Sequence, residues 1–238
     1  MDALIGGVIG LAIGLIGSFI APAREQMARL GRRLLRAQPV DVHVEKDLDR
    51  IYAGIPDWVS ATFFLPEQSP NGDPGSSVGE WQRWVAERGG WDVGVTTLRV
   101  TIVARSPATV VVFPPQVSAQ MATPPSGTTI WRPVGGASVN LLGLDVRLQP
   151  GRCETLISDN DGSVNGPLSW SLRDGEAQQF LIRIQVGDEA LWTWAATLEL
   201  LIYGRLLQID LPRSEGGNRL VGSGLGGKPQ TWTGAAWS

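Results

Sequence analysis

A single histidine flanked by acids is the first group in this sequence with the chemistry of a metal ligand. His43 lies between Asp41 and Glu45, and a strand would place all three side chains on one face. The same spacing is typical of a solvated strand face, which is the interpretation that we favour. A single histidine also excludes an intrachain zinc site built on two or three histidines, and any Ser-His-Asp triad that omits His43. We therefore predict no metal site.

The single cysteine is the next candidate, since a thiolate is a strong nucleophile. Cys153 follows Arg152, a neighbour that can lower a thiol pKa. A nucleophile still needs a base, and His43 is the one histidine that could serve. We predict an inert cysteine and no catalytic residue. A lone cysteine also forms no intrachain disulfide.

A run of acidic and amide residues at 159–163 (DNDGS) resembles the start of a calcium loop. An EF-hand loop that began at Asp159 would need Gly at its sixth position and Glu at its twelfth, where this chain has Val164 and Trp170. Asn, Asp and Gly are also the residues that turns favour. We interpret the run as a turn.

Three glycines near the C-terminus spell a dinucleotide-binding pattern. Gly222, Gly224 and Gly227 have the G-x-G-x-x-G spacing, which binds a pyrophosphate only between a strand and a helix. Lys228 and Pro229 follow at once, and no helical pattern comes after them. We predict no cofactor.

Ten tryptophans raise the question of a sugar-stacking surface. Trp192 and Trp194 are two residues apart and would share one face of a strand. Leu198 and Leu200 continue the same face, so we favour core packing over an exposed platform.

The region from residue 40 onward has the alternation of β-strands. Candidate strands are 40–44, 58–65, 95–104, 109–113, 138–148, 177–186, 191–202 and 205–211, and one short helix is predicted at 80–87. Tyr203 and Gly204 lie between the last two strands as a two-residue hairpin turn. Many closely spaced strands without βαβ alternation predict a mainly β fold, an antiparallel immunoglobulin-like β-sandwich with one short helix.

The N-terminus carries the pattern of a membrane anchor. Residues 3–21 hold 19 positions without a charge, which as a helix would span about 28 Å, near the thickness of a hydrocarbon core. A cleaved signal peptide is the alternative, but its positive n-region is missing. Gly6, Gly10 and Gly14 recur every four residues, a spacing that permits a homodimer through the transmembrane helix. The same glycines are also common in unpaired membrane helices.

A basic segment follows this anchor. Five arginines within 22–37 oppose one acid, and the positive-inside rule makes the segment cytoplasmic; they are Arg24, Arg29, Arg32, Arg33 and Arg36. They either bind anionic lipid headgroups or set the topology alone. Residues 38–238 hold 15 basic against 21 acidic groups, a balance of −6 that argues against nucleic-acid binding.

The predicted organisation has four parts: a transmembrane anchor at 1–23, a basic juxtamembrane helix at 24–38, a β-sandwich domain at 39–213 and a Gly-rich tail at 214–238. Short runs at 42–45, 53–58, 84–90, 98–105 and 227–229 resemble those of uncharacterised actinobacterial membrane-anchored proteins. That resemblance implies the same plan, an anchor followed by a β-sandwich-like soluble domain, and it implies no activity.

Three functions from different classes remain open. The first is a non-enzymatic interaction module, tethered to the lipid bilayer of the cell membrane, with its C-terminal domain in the cytoplasm and a protein as its partner. The second is an exported cell-envelope module that binds carbohydrate through exposed tryptophans. The third is an enzyme that relies on carboxylates only, since paired acids leave no motif in a single sequence.

Overall fold

The computed structural model describes residues 38–54, 59–66, 69–133, 142–159, 162–164, 167–212, 218–223 and 229–238. Val40–Ser238 forms a compact unit by itself. The predicted anchor and basic segment, with Gly6, Gly10, Gly14 and the five arginines, lie outside the described residues. From Gln38 onward, the part of the chain that the structure describes contains no helix long and apolar enough to cross a membrane.

The described elements are mainly strands. In chain order they are β1 (Val40–Glu45), α1 (Leu48–Ile51), β2 (Ala61–Leu65), α2 (Val78–Glu87), β3 (Trp91–Val93), β4 (Val95–Ala104), β5 (Ala108–Val112), β6 (Gln116–Ala122), β7 (Thr128–Arg132), β8 (Gly143–Gln149), β9 (Arg152–Asp159), β10 (Gly162–Val164), β11 (Leu168–Leu172), β12 (Ala177–Val186), β13 (Leu191–Ile202), β14 (Arg205–Asp210), β15 (Asn218–Val221) and β16 (Gln230–Thr231).

These strands form two sheets. Sheet A has six strands in the order β1-β4-β12-β8-β9-β10, and sheet B has ten, with the path β11-β5-β13-β15-β3-β2-β7-β16 and with β6 and β14 also paired to β13. The mainly β, two-sheet prediction is confirmed. Pairing is mostly antiparallel, but three of the described pairs are parallel: β12 with β8, β15 with β3, and β16 with β7.

The main core lies where apolar residues of both sheets meet. Val100, Ile102 and Phe180 contribute from sheet A, and Leu198 and Leu200 contribute from sheet B. All five are fully buried. The cause is visible in the sequence, because β4, β12 and β13 alternate apolar and polar residues at a period of two. Hydrophobic burial of one face of each strand therefore holds the two sheets together.

Strand β13 is the longest strand described, and along one edge it pairs first with β6 and then with β5. From the Leu200–Val112 pair to the Thr197–Gln116 pair, β13 advances three residues while its partner advances four. This extra residue is a β-bulge between β5 and β6, at Pro114 and Pro115. Proline fits there because the bulge interrupts the ladder in which its missing N–H would be needed.

A second cluster packs both helices against sheet B. Helix α2 starts at a capping box, in which Ser77 Oγ accepts from Glu80 N and the Glu80 side chain accepts from Ser77 N. Asp49 of α1 accepts hydrogen bonds from Gly79 N (2.7 Å) and Ser77 Oγ (2.8 Å). Asp49 thus links α1 to the N-terminus of α2. Ile51 of α1 and Trp81 of α2 then pack in the same buried cluster.

The C-terminal residues also pack on α2. Trp237 stacks on Trp84, with ring centroids 5.5 Å apart, and meets the edge of Trp81 at 5.6 Å. Its indole N–H donates to the carbonyl oxygen of Gly72 at 3.1 Å. The predicted tail thus contributes to the folded unit, since 229–238 packs here and β15 lies inside sheet B, both beyond the predicted domain end at Arg213.

Several predicted boundaries agree with those observed. Strands 95–104, 177–186 and 191–202 match β4, β12 and β13 at both ends, and the helix begins at Val78, two residues earlier than predicted. The Tyr203–Gly204 turn is confirmed, since Ile202 pairs with Arg205 and both turn residues have positive φ, 50° and 74°.

Candidate functional site

His43 lies on an exposed position of β1. Asp41, His43 and Glu45 share one face of this strand, as predicted, while Val40 is fully buried on the other face. The His43 side chain is 70% exposed and its Nε2 lies 3.7 Å from Glu45 Oε2. Among the described residues, no group of three His, Cys, Asp or Glu side chains could hold a metal ion. A solvated strand face explains this position.

Cys153 is also exposed, near the start of β9. Partial burial raises the pKa of its thiol, which lowers the thiolate fraction and weakens it as a nucleophile. The strand fixes its backbone by pairing with Leu148 of β8.

The acidic run that begins at Asp159, which we interpret as a turn, lies at the β9–β10 hairpin. Asp159 pairs with Gly162 at the end of the β9–β10 hairpin, and the two residues between them lie outside the described residues. Gly222 directly follows β15, where a Cβ atom would lie 1.4 Å from the carbonyl oxygen of Asp188. Close backbone approach therefore explains Gly222, while Gly224 and Gly227 lie outside the described residues.

Trp192 and Trp194 are buried, being 3% and 2% exposed. The prediction of core packing is confirmed for both. The Trp192 indole N–H donates to Asp188 Oδ1 at 2.9 Å, whereas Trp194 Nε1 is buried without a hydrogen-bond partner among the described residues. A buried donor that lacks an acceptor costs about 1–3 kcal/mol, so this atom calls for an explanation.

A cleft of about 710 Å³ lies beside Trp194. Its walls come from α2, the end of β1, the start of β4, and strands β2, β3, β13 and β15. Phe63, Leu98 and Trp194 form its apolar wall, and Asp92 and Asn218 add polar groups. This size and this mixture of an apolar wall with a few polar groups are typical of small-molecule sites.

Asp92 lies on the buried face of sheet B. It pairs with Phe63 of β2 on one side and with Leu220 of β15 on the other. Directly paired residues point to the same face of a sheet, and Phe63 and Leu220 are 1% and 0% exposed. The Asp92 carboxyl group therefore points to the face of sheet B that packs on the core.

Burial raises the pKa of Asp92 to about 6. Two neighbours oppose this shift: the Thr96 hydroxyl, which donates to Asp92 Oδ2 at 2.6 Å, and the positive charge of Lys46. Desolvation outweighs both, because a carboxylate loses its hydration in an apolar wall. Strongly shifted acids in clefts are frequent at functional sites, and this makes the cleft the leading candidate site.

Other acids at the cleft are held differently. Desolvation tends to raise the pKa of Glu45, but the backbone N–H groups of Asp47 and Lys46 and the Arg50 guanidinium lower it below its usual range. Asp47 Oδ2 lies 3.7 Å from Arg83 Nη1. Glu45 and Asp47 therefore fix the connection between β1 and α1. Asp92 differs from Glu45 because desolvation raises its pKa more than its neighbours lower it.

The first prediction concerns Asp92→Asn. Because the folded-state pKa of Asp92 is raised, the folded state binds its proton more tightly, and stability falls as pH rises from about 4 to about 6. Removing that charge should raise the free energy of unfolding at pH 7 by up to about 3 kcal/mol, with little gain at pH 4.

Urea denaturation at both pH values measures this difference. The other charged groups that line the cleft are Glu45, Lys46, Asp47, Arg83 and Arg219. Lys46→Gln is the control: it should raise the folded-state pKa of Asp92 further and destabilise the protein at pH 7. Equal stabilisation by Asp92→Asn at pH 4 and pH 7 would contradict the buried-carboxyl explanation.

An open sheet edge is a second surface of interest. Strand β6 pairs with β13 along one edge, and no described strand pairs with its other edge. Its seven residues (QVSAQMA) carry no charge, and all but Val117 are exposed. Unpaired backbone N–H and C=O groups on such an edge are a template for pairing with another strand.

Two other edge strands in the described structure, β1 and β14, carry charges, whereas the edge strands β10, β11 and β16 carry none but are shorter than β6, at three, five and two residues. Strand β1 presents Asp41, and Arg105 Nε pairs with its carboxylate; β14 presents Arg205 and Asp210. Charges on an edge discourage pairing with a foreign strand, because pairing would bury them. Strand β6 lacks this protection, which distinguishes it from β1 and β14.

Sequence reasoning missed both surfaces. Asp92 lies in a strand of three residues, too short for a periodic signal, and its burial depends on pairing with strands 29 and 128 residues away, since Phe63 and Leu220 are its partners. Strand β6 is exposed on both faces, so no alternation marks it. The absence of charge between two proline pairs, 114–115 and 124–125, was a usable signal for the edge.

Comparisons with known proteins give little guidance. No family model and no curated protein matches the sequence. Among solved structures, the chain is similar to the ApaA protein from Bordetella pertussis at 13% identity with a TM-score of 0.26, over 74% of this chain and 92% of that one. The resemblance to actinobacterial membrane-anchored proteins stays a prediction.

Proposed function

We propose that this chain is a membrane-tethered, non-enzymatic interaction module whose β6 edge pairs with an extended segment of a protein partner. The observation that carries this proposal is the unpaired, uncharged edge of β6, exposed over most of its length and without a partner strand among the described residues. Strand addition needs free main-chain groups and a segment long enough for several hydrogen bonds, and the seven residues of β6 are sufficient.

The position of β6 also favours strand addition. Strand β11 covers the outer edge of β5, with Leu168 opposite Val112, and β6 continues the line of β5 beyond the bulge. A partner strand paired with β6 would thus lie in line with β11, on the same side of the β5–β6 segment. The edge is backed by β13, which is anchored in the core by Trp192 and Leu198, so a partner would pair with a rigid template.

The tether rests on the sequence of the N-terminal segment. Its 19 uncharged residues suit a transmembrane helix, and Arg24, Arg29 and the three further arginines favour a cytoplasmic domain. Gly6, Gly10 and Gly14 provide a surface for a homodimer within the bilayer. An immunoglobulin-like strand order, which the strand spacing predicts, stays a prediction.

Photo-crosslinking in cells tests the edge. A benzophenone side chain at Met121 of β6 should give one discrete protein adduct, whereas the same probe at Leu206 of β14 should not. The two positions are matched, being 55% and 54% exposed. Adding Ser118→Lys and Gln120→Lys to the Met121 probe should abolish the adduct, because the two positive charges would be buried on pairing.

Thermal unfolding of the double-lysine variant is the control for folding. Ser118 and Gln120 are exposed, so the two substitutions should change the melting temperature little. Equal adducts from Met121 and Leu206, no adduct from either, or an adduct that survives both lysines would refute the proposal.

A carboxylate-dependent enzyme is the second candidate, favoured by the raised pKa of Asp92 in a cleft that Glu45 also lines. In such an enzyme Asp92 would act as the acid, and Glu45, whose pKa is lowered, as the carboxylate. Carbohydrate binding by an exported module has weaker support, because Trp192 and Trp194 are buried and offer no stacking surface.

A further inference from the structure

The cleft beside Asp92 carries an inference that is independent of the β6 edge. A cleft of about 710 Å³ can hold a small organic molecule. Its lining includes Trp194, whose buried Nε1 donor has no acceptor among the described residues. It also includes an acceptor, Asp92, whose described donor is the Thr96 hydroxyl. A carboxylate has room for more than one donor, so both groups can gain from a ligand.

Trp194 and Asp92 lie on the same face of sheet B. Trp194 pairs with Asn218, and Trp192, two residues earlier on the same face, pairs with Leu220, which pairs with Asp92. Two strand spacings separate β13 from β3, so their backbones are about 10 Å apart. A ligand with a ring-sized apolar body and polar groups can reach both from within the cleft.

The charges around the cleft restrict the ligand. Its lining holds three acids and three bases, for a formal balance of zero: Glu45, Asp47, Asp92, Lys46, Arg83 and Arg219. Arg83 is paired with Asp47, and Glu45 with Arg50, so these charges are already neutralised. This leaves Asp92 with Lys46 and Arg219, so a charged ligand of either sign would meet a like charge as well as an opposite one.

We propose that this cleft binds a neutral small molecule with an apolar body, which offers a hydrogen-bond acceptor to Trp194 and a hydroxyl or amide donor to Asp92. The apolar body packs on Phe63 and Leu98, where it replaces water against an apolar wall. The acceptor satisfies the buried indole N–H, and the donor compensates the desolvated carboxylate. Both polar groups then favour the bound state.

Three naphthalene probes of equal shape and different charge test the ligand class on the full chain: 2-naphthamide, 2-naphthoate and 2-naphthylmethylammonium. Calorimetric titration should give 2-naphthamide an affinity at least about tenfold higher than that of either charged probe, because only the amide offers a donor and an acceptor without a charge. The indole N–H resonance of Trp194, assigned by its loss in Trp194→Phe, should shift and saturate with 2-naphthamide.

Variants with matched controls test the two groups. Trp194→Phe keeps a ring but removes the donor, and should weaken 2-naphthamide binding at least about fivefold; Asp92→Leu should do the same. Trp192→Phe is the control, because its indole already donates to Asp188, and binding should change less than about twofold. Circular dichroism and melting identify any variant that fails to fold, and in that case Asp92→Asn replaces Asp92→Leu, with weaker binding still expected.

Three outcomes would overturn the proposal. The first is equal affinity for all three probes. The second is no shift of the Trp194 resonance up to the solubility limit of 2-naphthamide. The third is a loss of affinity in Trp192→Phe as large as that in Trp194→Phe. None of these results bears on the β6 edge, so the two proposals fail separately.

Discussion

A fragment that starts at Pro39 should be soluble without detergent and should melt cooperatively, whereas one that starts at Leu65 should not fold. The longer fragment contains the compact unit Val40–Ser238 with both clusters of buried residues. The fragment lacks the 19 uncharged residues that are predicted to form the membrane anchor, so it should not need detergent. A compact unit with its own core is expected to fold alone.

The shorter fragment loses two strands from different sheets. Strand β1 covers β4 at the edge of sheet A, and β2 lies between β3 and β7 within sheet B. Deleting β2 also removes Phe63 and Phe64, which are 1% and 3% exposed, and leaves β7 and β16 without their link to the sheet. The loss exceeds the marginal stability of a domain, which is about 5–15 kcal/mol.

Circular dichroism and thermal melting of both fragments measure this difference, and cell fractionation of the full chain is the control. The full chain should sediment with membranes, and protease added outside intact spheroplasts should leave its domain uncut if it faces the cytoplasm. If the 39–238 fragment aggregates without detergent while the shorter one melts cooperatively, residues 39–64 act as a linker and the boundary at Pro39 is wrong.

Long strands with one buried face could be predicted from the sequence. Strands β4, β12 and β13 have ten to twelve residues each, and buried residues alternate over most of their length because one side packs on the main core. Leu181 of β12 departs from this pattern, since it is buried in the second cluster. The Tyr203–Gly204 turn was equally clear, since a two-residue connection between such strands favours positive φ. Local sequence determines these elements almost alone.

The missed elements depend on distant partners. Strands β3 and β15 have three and four residues, and each is a strand only because β2 or β13 lies beside it. The three parallel pairs among the described strands escaped prediction for the same reason, because strand direction is decided by the path of the chain and not by side-chain alternation. The cleft combines residues from one helix and several strands that are distant in sequence, so no single segment carries its pattern.

The last prediction concerns Phe180, where the two-sheet core is tested directly. Phe180 is fully buried on β12, pairs with Val100 of β4, and stacks on Trp170 of β11 with ring centroids 5.7 Å apart. It therefore joins sheet A to sheet B. Phe180→Ala should lower the free energy of unfolding by about 3–5 kcal/mol, because the cavity loses both burial and the aromatic contact.

Thermal melting and urea denaturation give the size of this loss. For a domain of this length it corresponds to a fall in melting temperature of about 6–20 °C. Phe180→Leu keeps most of the volume and should cost less than half as much, while Leu206→Ala, at a position 54% exposed, should stay within about 0.5 kcal/mol of the unchanged chain. Because Trp170 contacts Phe180 from the opposite sheet, Trp170→Ala and Phe180→Ala should combine less than additively. Additive losses would mean that the two rings do not interact, which would contradict the packing of Phe180 on Trp170 between sheets A and B.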